Sequence, residues 1–300
     1  MKDSSLKGNL ILLLTATIWG VAFVAQSVGM DYVGPYTFNA VRFLIGGIVL
    51  IPCSFILKKF GNKKEKPVAK QDKKKLIKGG IVCGILMFGA TTFQQLGIIE
   101  TSVGKAGFIT ALYVILVPIF GVVIGKKVRI NIWIGAVIAV IGFYVLCINE
   151  GFTISHGDIL VFICAILFTF HIMTVDHFVE DVNGVKLSCL QFLVAGAISF
   201  FCMLVMEQPN IESILMAWQP ILYAGIMSCG VAYTLQIIGQ KYTNPFLASL
   251  IMSLESVISA IAGWLLLGQI LAIKELIGCT LVFVAIIIAQ IPGKASLDNK

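Results

Sequence analysis

The sequence predicts an all-α membrane protein with ten transmembrane helices, arranged as two inverted five-helix repeats with both termini in the cytoplasm. Three observations carry this prediction: the composition, the spacing of the apolar runs and an internal repeat. Hydrophobic residues make up 58% of the 300 residues and charged residues 12%, against about 45–50% and 25% in soluble domains. So few charges cannot cover the surface of a soluble protein, and we expect a chain folded in lipid.

Ten apolar runs follow one another, each near the ~20 residues that cross a bilayer as a helix. They lie at 9–28, 36–57, 76–98, 104–124, 129–148, 157–178, 185–206, 217–239, 245–267 and 271–291. The first run follows Lys2 and Lys7, as in a cleaved signal peptide, but its repeat counterpart lies in mid-chain, so we expect a retained helix. The runs use up most of the chain and predict a multi-pass protein of the plasma (inner) membrane.

The two halves of the chain, 1–150 and 151–300, repeat one pattern in the same order. Matches at an offset of 149 include Gly8 with Gly157, Ala16 with Ala165, Trp19 with Phe168, Phe43 with Phe192 and Gly47 with Gly196. Matches at an offset of 142 include Gly97 with Gly239, Thr101 with Thr243, Ala106 with Ala248 and Leu112 with Leu254. Each identity is weak alone, but their shared order predicts a duplicated five-helix unit, which in membrane chains is typical of transporters.

The distribution of positive charge predicts the orientation of the helices. With the N-terminus in the cytoplasm, the cytoplasmic segments hold nineteen of the 22 Lys and Arg residues, ten of them in the loop 58–78. The outer loops hold only Lys105 and Lys274, and Arg42 lies inside a span. Cytoplasmic loops of membrane proteins carry this excess, and five spans per half turn the second half upside down. The net charge of +7 therefore reflects topology and attraction to anionic lipid, and we expect no nucleic-acid partner.

Glu255 lies near the middle of the ninth span, where a charge is expensive. Insertion scales give roughly 2.5–3.5 kcal/mol for Arg, Lys or Asp at a helix centre. Two interpretations stand side by side. Glu255 is a proton-coupling site or substrate contact, or it is a structural glutamate bonded to a helix end or paired with Arg42. Its repeat counterpart is Tyr113, at the same depth on the fourth span, which favours a shared central cavity.

Arg42 and His171 are two further ionisable residues that lie inside predicted spans. Arg42 lies six residues into the second span from the outer side. Its structural interpretation is a pairing that fixes helix packing, and its functional one is a partner for an anionic group of a substrate. His171 lies in the middle of the sixth span; a lone histidine is more often a packing residue, and proton relay is the alternative.

Uncharged polar and aromatic groups from several spans fall in the same layer. These are Trp19 and Gln26 on the first span, Gln94 and Gln95 on the third, and Tyr233 and Gln236 on the eighth. Hydrogen bonds between helices explain the glutamines equally well, and aromatic packing explains Trp19. A layer contributed by helices 1, 3, 4, 6, 8 and 9 nevertheless suits a binding cavity near the membrane midplane. We predict that these residues line the substrate pathway with Arg42, Tyr113, His171 and Glu255.

The order of motifs resembles the EamA-type transporters of the drug/metabolite transporter superfamily over essentially the whole chain. The resemblance rests on Trp19-Gly20, Arg42-Phe43, GFITALYVILVPIF at 107–120 and SLIMSLESVISAIAGWLLLGQ at 249–269. It implies ten helices in two inverted repeats, a central cavity and alternating access, usually exporting small metabolites such as amino acids. The chain departs from the family pattern at three positions, which bear on the substrate rather than the fold: Gln191, Ser256 and Gln269.

The leading prediction is a secondary transporter that exports small organic metabolites, amino-acid-like or drug-like solutes. No GxxxxGK[ST] motif is present, so we expect no direct ATP coupling within the chain. The alternative is an intramembrane enzyme acting on a lipid or isoprenoid substrate, but neither HExxH nor GxSxG occurs. We expect no cofactor and no metal, a small-molecule solute and membrane lipid as partners, and a cavity complete within one chain. That is compatible with a monomer and leaves oligomers open.

Overall fold

A computed structural model describes residues 2–60, 73–101, 103–147, 155–268 and 273–291. The first half contains α1 (Lys2–Gly29), α2 (Pro35–Phe60), α3 (Lys73–Glu100), α4 (Val103–Ala111), α5 (Tyr113–Val123) and α6 (Ile130–Cys147). The second contains α7 (His156–Phe178), α8 (Gly184–Met206), α9 (Ile211–Met216), α10 (Trp218–Leu222), the π-helical segment π1 (Tyr223–Ala232), α11 (Tyr233–Gln240), α12 (Pro245–Met252), α13 (Leu254–Leu267) and α14 (Ile273–Gln290). No strand occurs among these residues. The central part of the lysine-rich loop and Gln269 lie outside them.

Eight segments of the described chain are long and apolar enough to cross a membrane. They are Leu6–Gly29, Pro35–Pro52, Lys73–Glu100, Val103–Val123, His156–Phe178, Gly184–Met206, Trp218–Gln240 and Pro245–Leu267. The predicted fifth and tenth spans are helical as α6 and α14, with shorter apolar stretches at Ile130–Gly142 and Leu276–Ala289. The all-helical membrane architecture is confirmed, while the count of ten spans and the side on which the termini lie stay predictions.

Side-chain caps fix where three helices of the second half begin. Ser155 and Asp158 form a reciprocal capping box at the start of α7, which satisfies two backbone N–H groups. Asn183 accepts from the backbone at the start of α8. Asn244 does the same for α12, where Pro245 follows in the first turn and has no N–H to leave unpaired. These caps set the depth at which each helix enters the bundle.

The fourth span of each half breaks at nearly the same point. The first break separates α4 from α5 at Leu112, and the second separates α12 from α13 at Ser253. The Ser253 hydroxyl donates to the carbonyl of Leu250 at 2.7 Å, and such bonds compete with the regular helical ladder. A polar residue of the site follows each break. Tyr113 comes directly after Leu112, and Glu255 comes two residues after Ser253.

The helices α2 and α8 pack against each other in an antiparallel and reciprocal way. A Cβ built on Gly47 would lie 3.0 Å from Leu193 Cδ2, and one built on Gly196 would lie 3.2 Å from Leu44 Cδ2. The offset of 149 relates Gly47 to Gly196 and Leu44 to Leu193. Each contact is therefore the repeat image of the other, and the small residue lets the backbones approach closely.

A second reciprocal contact joins α1 to α11 and α7 to α3. A Cβ on Gly8 would lie 3.2 Å from the carbonyl oxygen of Gly239, and one on Gly157 would lie 2.9 Å from that of Gly97. Gly8 corresponds to Gly157 and Gly97 to Gly239. Exchanging the two halves therefore exchanges the two contacts, as a twofold relation between repeats requires.

Glu207, just after α8, joins the two halves at the end of the bundle where α1 terminates. Its carboxylate accepts from the backbone N–H of Tyr36 at 2.9 Å and of Thr37 at 2.8 Å, and from the Thr37 hydroxyl at 2.6 Å. The first N–H groups of a helix have no partner within it, so Glu207 satisfies two of them at the start of α2. The cap comes from the other half of the chain and holds α2 and α8 in register.

Candidate functional site

A narrow cavity lies where helices of both halves meet. It is lined by Trp19, Ala22, Phe23, Gln26, Arg42, Gln94, Tyr113, Phe168, Ile172, Ser228, Tyr233, Gln236 and Glu255. Counted as the space open to the centres of water molecules, its volume is about 30 Å³. That is room for only a few waters, so an organic solute would enter only after the helices move apart.

Most of the residues predicted from the sequence line this cavity. The eight are Trp19, Gln26, Arg42, Gln94, Tyr113, Tyr233, Gln236 and Glu255. The other two, Gln95 and His171, are fully buried but are not part of the lining. The structure thus brings the predicted layer together around one space, and the passage of a solute through it stays a prediction.

The cavity lining contains a hydrogen bond between repeat counterparts. The Tyr113 hydroxyl donates to Glu255 Oε1 at 2.8 Å, and the two side chains are 2% and 4% exposed. The partner of Glu255 is thus a side chain at a helix end, since Tyr113 is the first residue of α5, and no ion pair of the described residues joins Glu255 to Arg42. Because the offset of 142 relates the pair, the bond joins equivalent positions of the two halves.

Arg42 is buried without a hydrogen-bond partner for two of its nitrogens. Its side chain is 2% exposed, and its Nε and Nη2 make no hydrogen bond with any residue that the structure describes. The guanidinium carbon lies 5.3 Å from the ring centroid of Phe38 and 5.0 Å from that of Phe43, within the range of cation–π attraction. The aromatic rings therefore hold the cation, while these two donors remain free.

The ion pairs of the described residues lie at helix ends, and none of them includes a residue of the cavity lining. They are Lys75–Asp181, Lys105–Asp158, Lys126–Asp176 and His156–Glu100. None of them includes Arg42 or Glu255. Arg42 and Glu255 therefore have no charged partner among the residues that the structure describes.

Tyr233 lines the cavity and its ring contacts three other aromatic rings. Its ring centroid lies 4.5 Å from that of Trp19, 5.4 Å from that of Phe192 and 6.2 Å from that of His171. The Trp19 indole N–H has no hydrogen-bond partner, although a buried indole usually finds one. Aromatic packing accounts for the position of Trp19, and its free N–H leaves one donor for a bound molecule.

His171 is tied to the repeat counterpart of Arg42. Its Nε2 lies 3.0 Å from Gln191 Oε1, and its Nδ1 has no partner. With the proton on Nε2 the ring donates to the amide oxygen, an assignment inferred from the hydrogen bonding. The contact supports the packing interpretation of His171, behind the aromatic lining rather than within it.

The glutamines divide between helix–helix hydrogen bonds and the cavity. Gln94 Nε2 lies 3.2 Å from Thr110 Oγ1, and Gln95 Nε2 donates to the carbonyl of Gln26 at 3.1 Å. The Oε1 atoms of Gln26 and Gln236 are buried without a partner. Gln95 Oε1 also lacks a partner among the described residues, but Gln95 does not line the cavity, whereas Gln26 and Gln236 do.

Five lining residues were not among the sequence predictions: Ala22, Phe23, Phe168, Ile172 and Ser228. The repeat held the signal for one of them, Phe168, the counterpart of the predicted Trp19 at the offset of 149; Phe23 and Ile172 are counterparts of each other, and neither was predicted. Both members of each pair line the cavity. Ser228 lies in π1 and gave no signal, because a π-helical turn changes which side chains face inward.

The comparisons with known proteins agree with this architecture. A model of the EamA-like transporter family matches residues 6–148 and again residues 155–290. The chain belongs to the EamA-like transporter family. It is therefore a multi-pass membrane protein of a transporter family. The sequence pattern of the family occurs twice along this chain.

Proteins similar in sequence match nearly the whole chain. An uncharacterized transporter of Archaeoglobus fulgidus is 31% identical over 291 residues, which span 95% of this chain and 86% of the relative. The uncharacterized transporter YoaV of Bacillus subtilis is 21% identical over 90% of this chain and 92% of its own length. A solved crystal structure with 21% identity superposes with a TM-score of 0.76, covering 94% of this chain and 96% of that one. The two chains therefore share a fold.

Proposed function

We propose that the protein is a secondary transporter that exports small organic metabolites, amino-acid-like or drug-like solutes, across the plasma (inner) membrane by alternating access. The observation that carries the proposal is the cavity itself. Residues of both halves enclose it, and it holds a buried cation, a buried carboxylate and unpartnered polar atoms. Ionisable groups inside a membrane bundle are typical of substrate and ion pathways.

The proposed framework is ten helices in two inverted repeats, 1–150 and 151–300, with both termini in the cytoplasm. The two family matches at 6–148 and 155–290 support the division. The reciprocal contacts across α2–α8, α1–α11 and α3–α7 support the twofold relation. The nineteen-to-two distribution of positive charges supports the orientation. Helices of both halves of one chain enclose the cavity, so the proposed mechanism needs no second copy.

In the proposed cycle the two repeats rock about the cavity. The volume of about 30 Å³ corresponds to a closed form that holds water rather than solute. Opening at the end where α1 begins would admit a solute from the cytoplasm, and opening at the other end would release it. Repeat-built transporters keep the binding site fixed at the repeat interface while one bundle moves against the other.

Glu255 is the proposed proton-coupling residue, with His171 as the second candidate. A carboxyl group enclosed by protein loses its proton more readily when the cavity opens to water, because water solvates the charged form, and a closed cavity favours the protonated form. Tyr113 donates to Glu255 Oε1 at 2.8 Å and would stabilise the charged form. Protonation in one open form and release in the other would couple proton entry to solute exit.

Comparative metabolomics tests the proposed function. Cells that overproduce the intact protein should deplete one or a few metabolites internally and enrich them in the medium, severalfold relative to cells that overproduce Glu255→Ala. Membrane levels of the two proteins are matched by immunoblot. Equal metabolite profiles in the two strains would contradict export through this cavity, and a new product with no redistribution across the membrane would contradict transport.

A further inference from the structure

We propose that Arg42 binds a carboxylate group of the transported solute side-on, through Nε and Nη2, and so selects carboxylate-bearing solutes. The inference rests on the proposed function and names the chemical class that the same cavity takes. It starts from an observation that packing does not explain. A buried guanidinium has two donors without a hydrogen-bond partner, in a cavity where the protein could have supplied one.

The geometry of the free donors specifies the shape of the missing partner. In a guanidinium, Nε–H and one N–H of Nη2 point in the same direction along one edge. Two parallel N–H groups match the two oxygens of a carboxylate, which gives a bidentate pair. The Arg42 atoms without a partner are Nε and Nη2, the pair that forms this side edge.

The surroundings of Arg42 contact the cation through two aromatic rings and leave the Nε and Nη2 edge without a hydrogen-bond partner among the described residues. Phe38 and Phe43 lie 5.3 and 5.0 Å from the guanidinium carbon. Cation–π attraction is weaker than an ion pair that is also hydrogen-bonded, and buried charges in proteins are normally paired. Arg42 is thus held in place before a solute arrives, and an anion that reaches its edge gains the full interaction.

No protein carboxylate of the described chain competes for this edge. Glu255 lines the same cavity, but its Oε1 accepts from Tyr113, and the ion pairs of the described residues exclude Arg42. The repeat counterpart of Arg42 is Gln191, which is neutral and bonded to His171. The cavity therefore contains one guanidinium edge rather than a symmetric pair. Carboxylate and phosphate oxygens both match its geometry, but its single positive charge balances a singly charged carboxylate and leaves a doubly charged phosphate only partly neutralised.

The remaining free groups describe the rest of the solute. The indole N–H of Trp19 is a donor, and the Oε1 atoms of Gln26 and Gln236 are acceptors, all three without partners. A solute with a carboxylate at one end and hydrogen-bonding groups at the other would satisfy them together. The narrowness of the cavity favours a small solute.

A carboxylate–amide comparison tests the inference on the full-length protein in lipid nanodiscs. The probes are four pairs: acetate with acetamide, propionate with propionamide, lactate with lactamide, and alanine with alaninamide. At least one carboxylate should raise the unfolding temperature where its amide does not, because only the carboxylate fills both donors. Chloride at the same ionic strength should produce no shift. Equal effects of acids and amides, equal effects of chloride, or no effect of any acid would each overturn the inference.

Substitution of Arg42 by Lys separates the effect of the planar guanidinium edge from the effect of the positive charge. Arg42→Lys keeps a positive charge but loses the planar edge, so apparent affinity for the effective carboxylate should fall by about tenfold or more. Lys126→Gln, which removes a cation paired with Asp176 at a helix end, is the matched control and should bind as the wild type does. Unchanged affinity in Arg42→Lys would overturn the inference. If that variant does not fold, the wild-type acid–amide comparison still decides.

The failure of this inference is distinguishable from the failure of the proposed function. If metabolomics finds exported solutes that all lack a carboxylate, transport stands and the role of Arg42 is wrong. If carboxylates bind through Arg42 but no solute redistributes across the membrane, the binding site stands and export is wrong.

Discussion

Replacing Glu255 with Gln should abolish solute transport driven by a pH gradient in proteoliposomes while leaving solute exchange in place. Gln has nearly the same shape, and its amide oxygen can accept from the Tyr113 hydroxyl, which lies 2.8 Å from Glu255 Oε1. It cannot take up or release a proton. Transport that needs proton coupling should fall to the level of empty liposomes, whereas exchange of labelled for unlabelled solute needs no net proton movement and should continue.

Two further variants make the Glu255 result specific. Tyr113→Phe removes the hydrogen bond but keeps the carboxylate, so gradient-driven transport should persist. His171→Gln removes the second candidate for proton coupling. Gradient-driven transport should persist in this variant too, because His171 lies outside the cavity lining. Gradient-driven transport that survives in Glu255→Gln would contradict proton coupling through this residue, and its loss in His171→Gln alone would move the role to the histidine.

Filling the cavity should stop transport without unfolding the protein. Ala22 lines the cavity and is 1% exposed, so Ala22→Phe would place a ring where the solute must sit. Overpacking of this kind typically costs about 1–3 kcal/mol of stability, which a folded bundle tolerates. We expect transport to fall at least about tenfold, with a moderate drop in unfolding temperature, measured by flux in proteoliposomes and by thermal unfolding.

Leu14→Phe is the matched control for the cavity variant. Leu14 lies on the same helix, α1, and is 51% exposed on the outside of the bundle. A ring added there faces lipid and should leave transport near the wild-type rate. Normal transport by a folded Ala22→Phe protein would mean that the solute takes another path.

The sequence predicted the depth of the site residues better than the direction in which they face. Gln94 and Gln95 lie in one layer, but successive residues of a helix point about 100° apart. Only Gln94 reaches the cavity, and Gln95 bonds to the backbone of Gln26 instead. Composition and hydropathy fix how far a residue lies along a span, whereas its direction depends on helix packing that no local pattern contains.

The contact partners of the polar groups could not be predicted from the sequence either. The repeat related Tyr113 to Glu255, and the structure adds that they are hydrogen-bonded. The free edge of Arg42 depends on the placement of Phe38 and Phe43 around it. The π-helical segment from Tyr223 to Ala232 has no signature in hydrophobic periodicity, so Ser228 was missed. By contrast, apolar runs and the repeat sufficed for the all-helical architecture, because lipid leaves few ways to satisfy a backbone.

Alternating access of the central cavity is tested most directly at Ser228, which lines it and is 3% exposed. A Ser228→Cys variant is treated with a membrane-impermeant thiol reagent in right-side-out and in inside-out vesicles. The wild type, which keeps the native cysteines, gives the background. Alternating access predicts labelling above background from both sides, because the cavity opens to each in turn. Labelling from one side only, with the protein fully folded in both preparations, would contradict it.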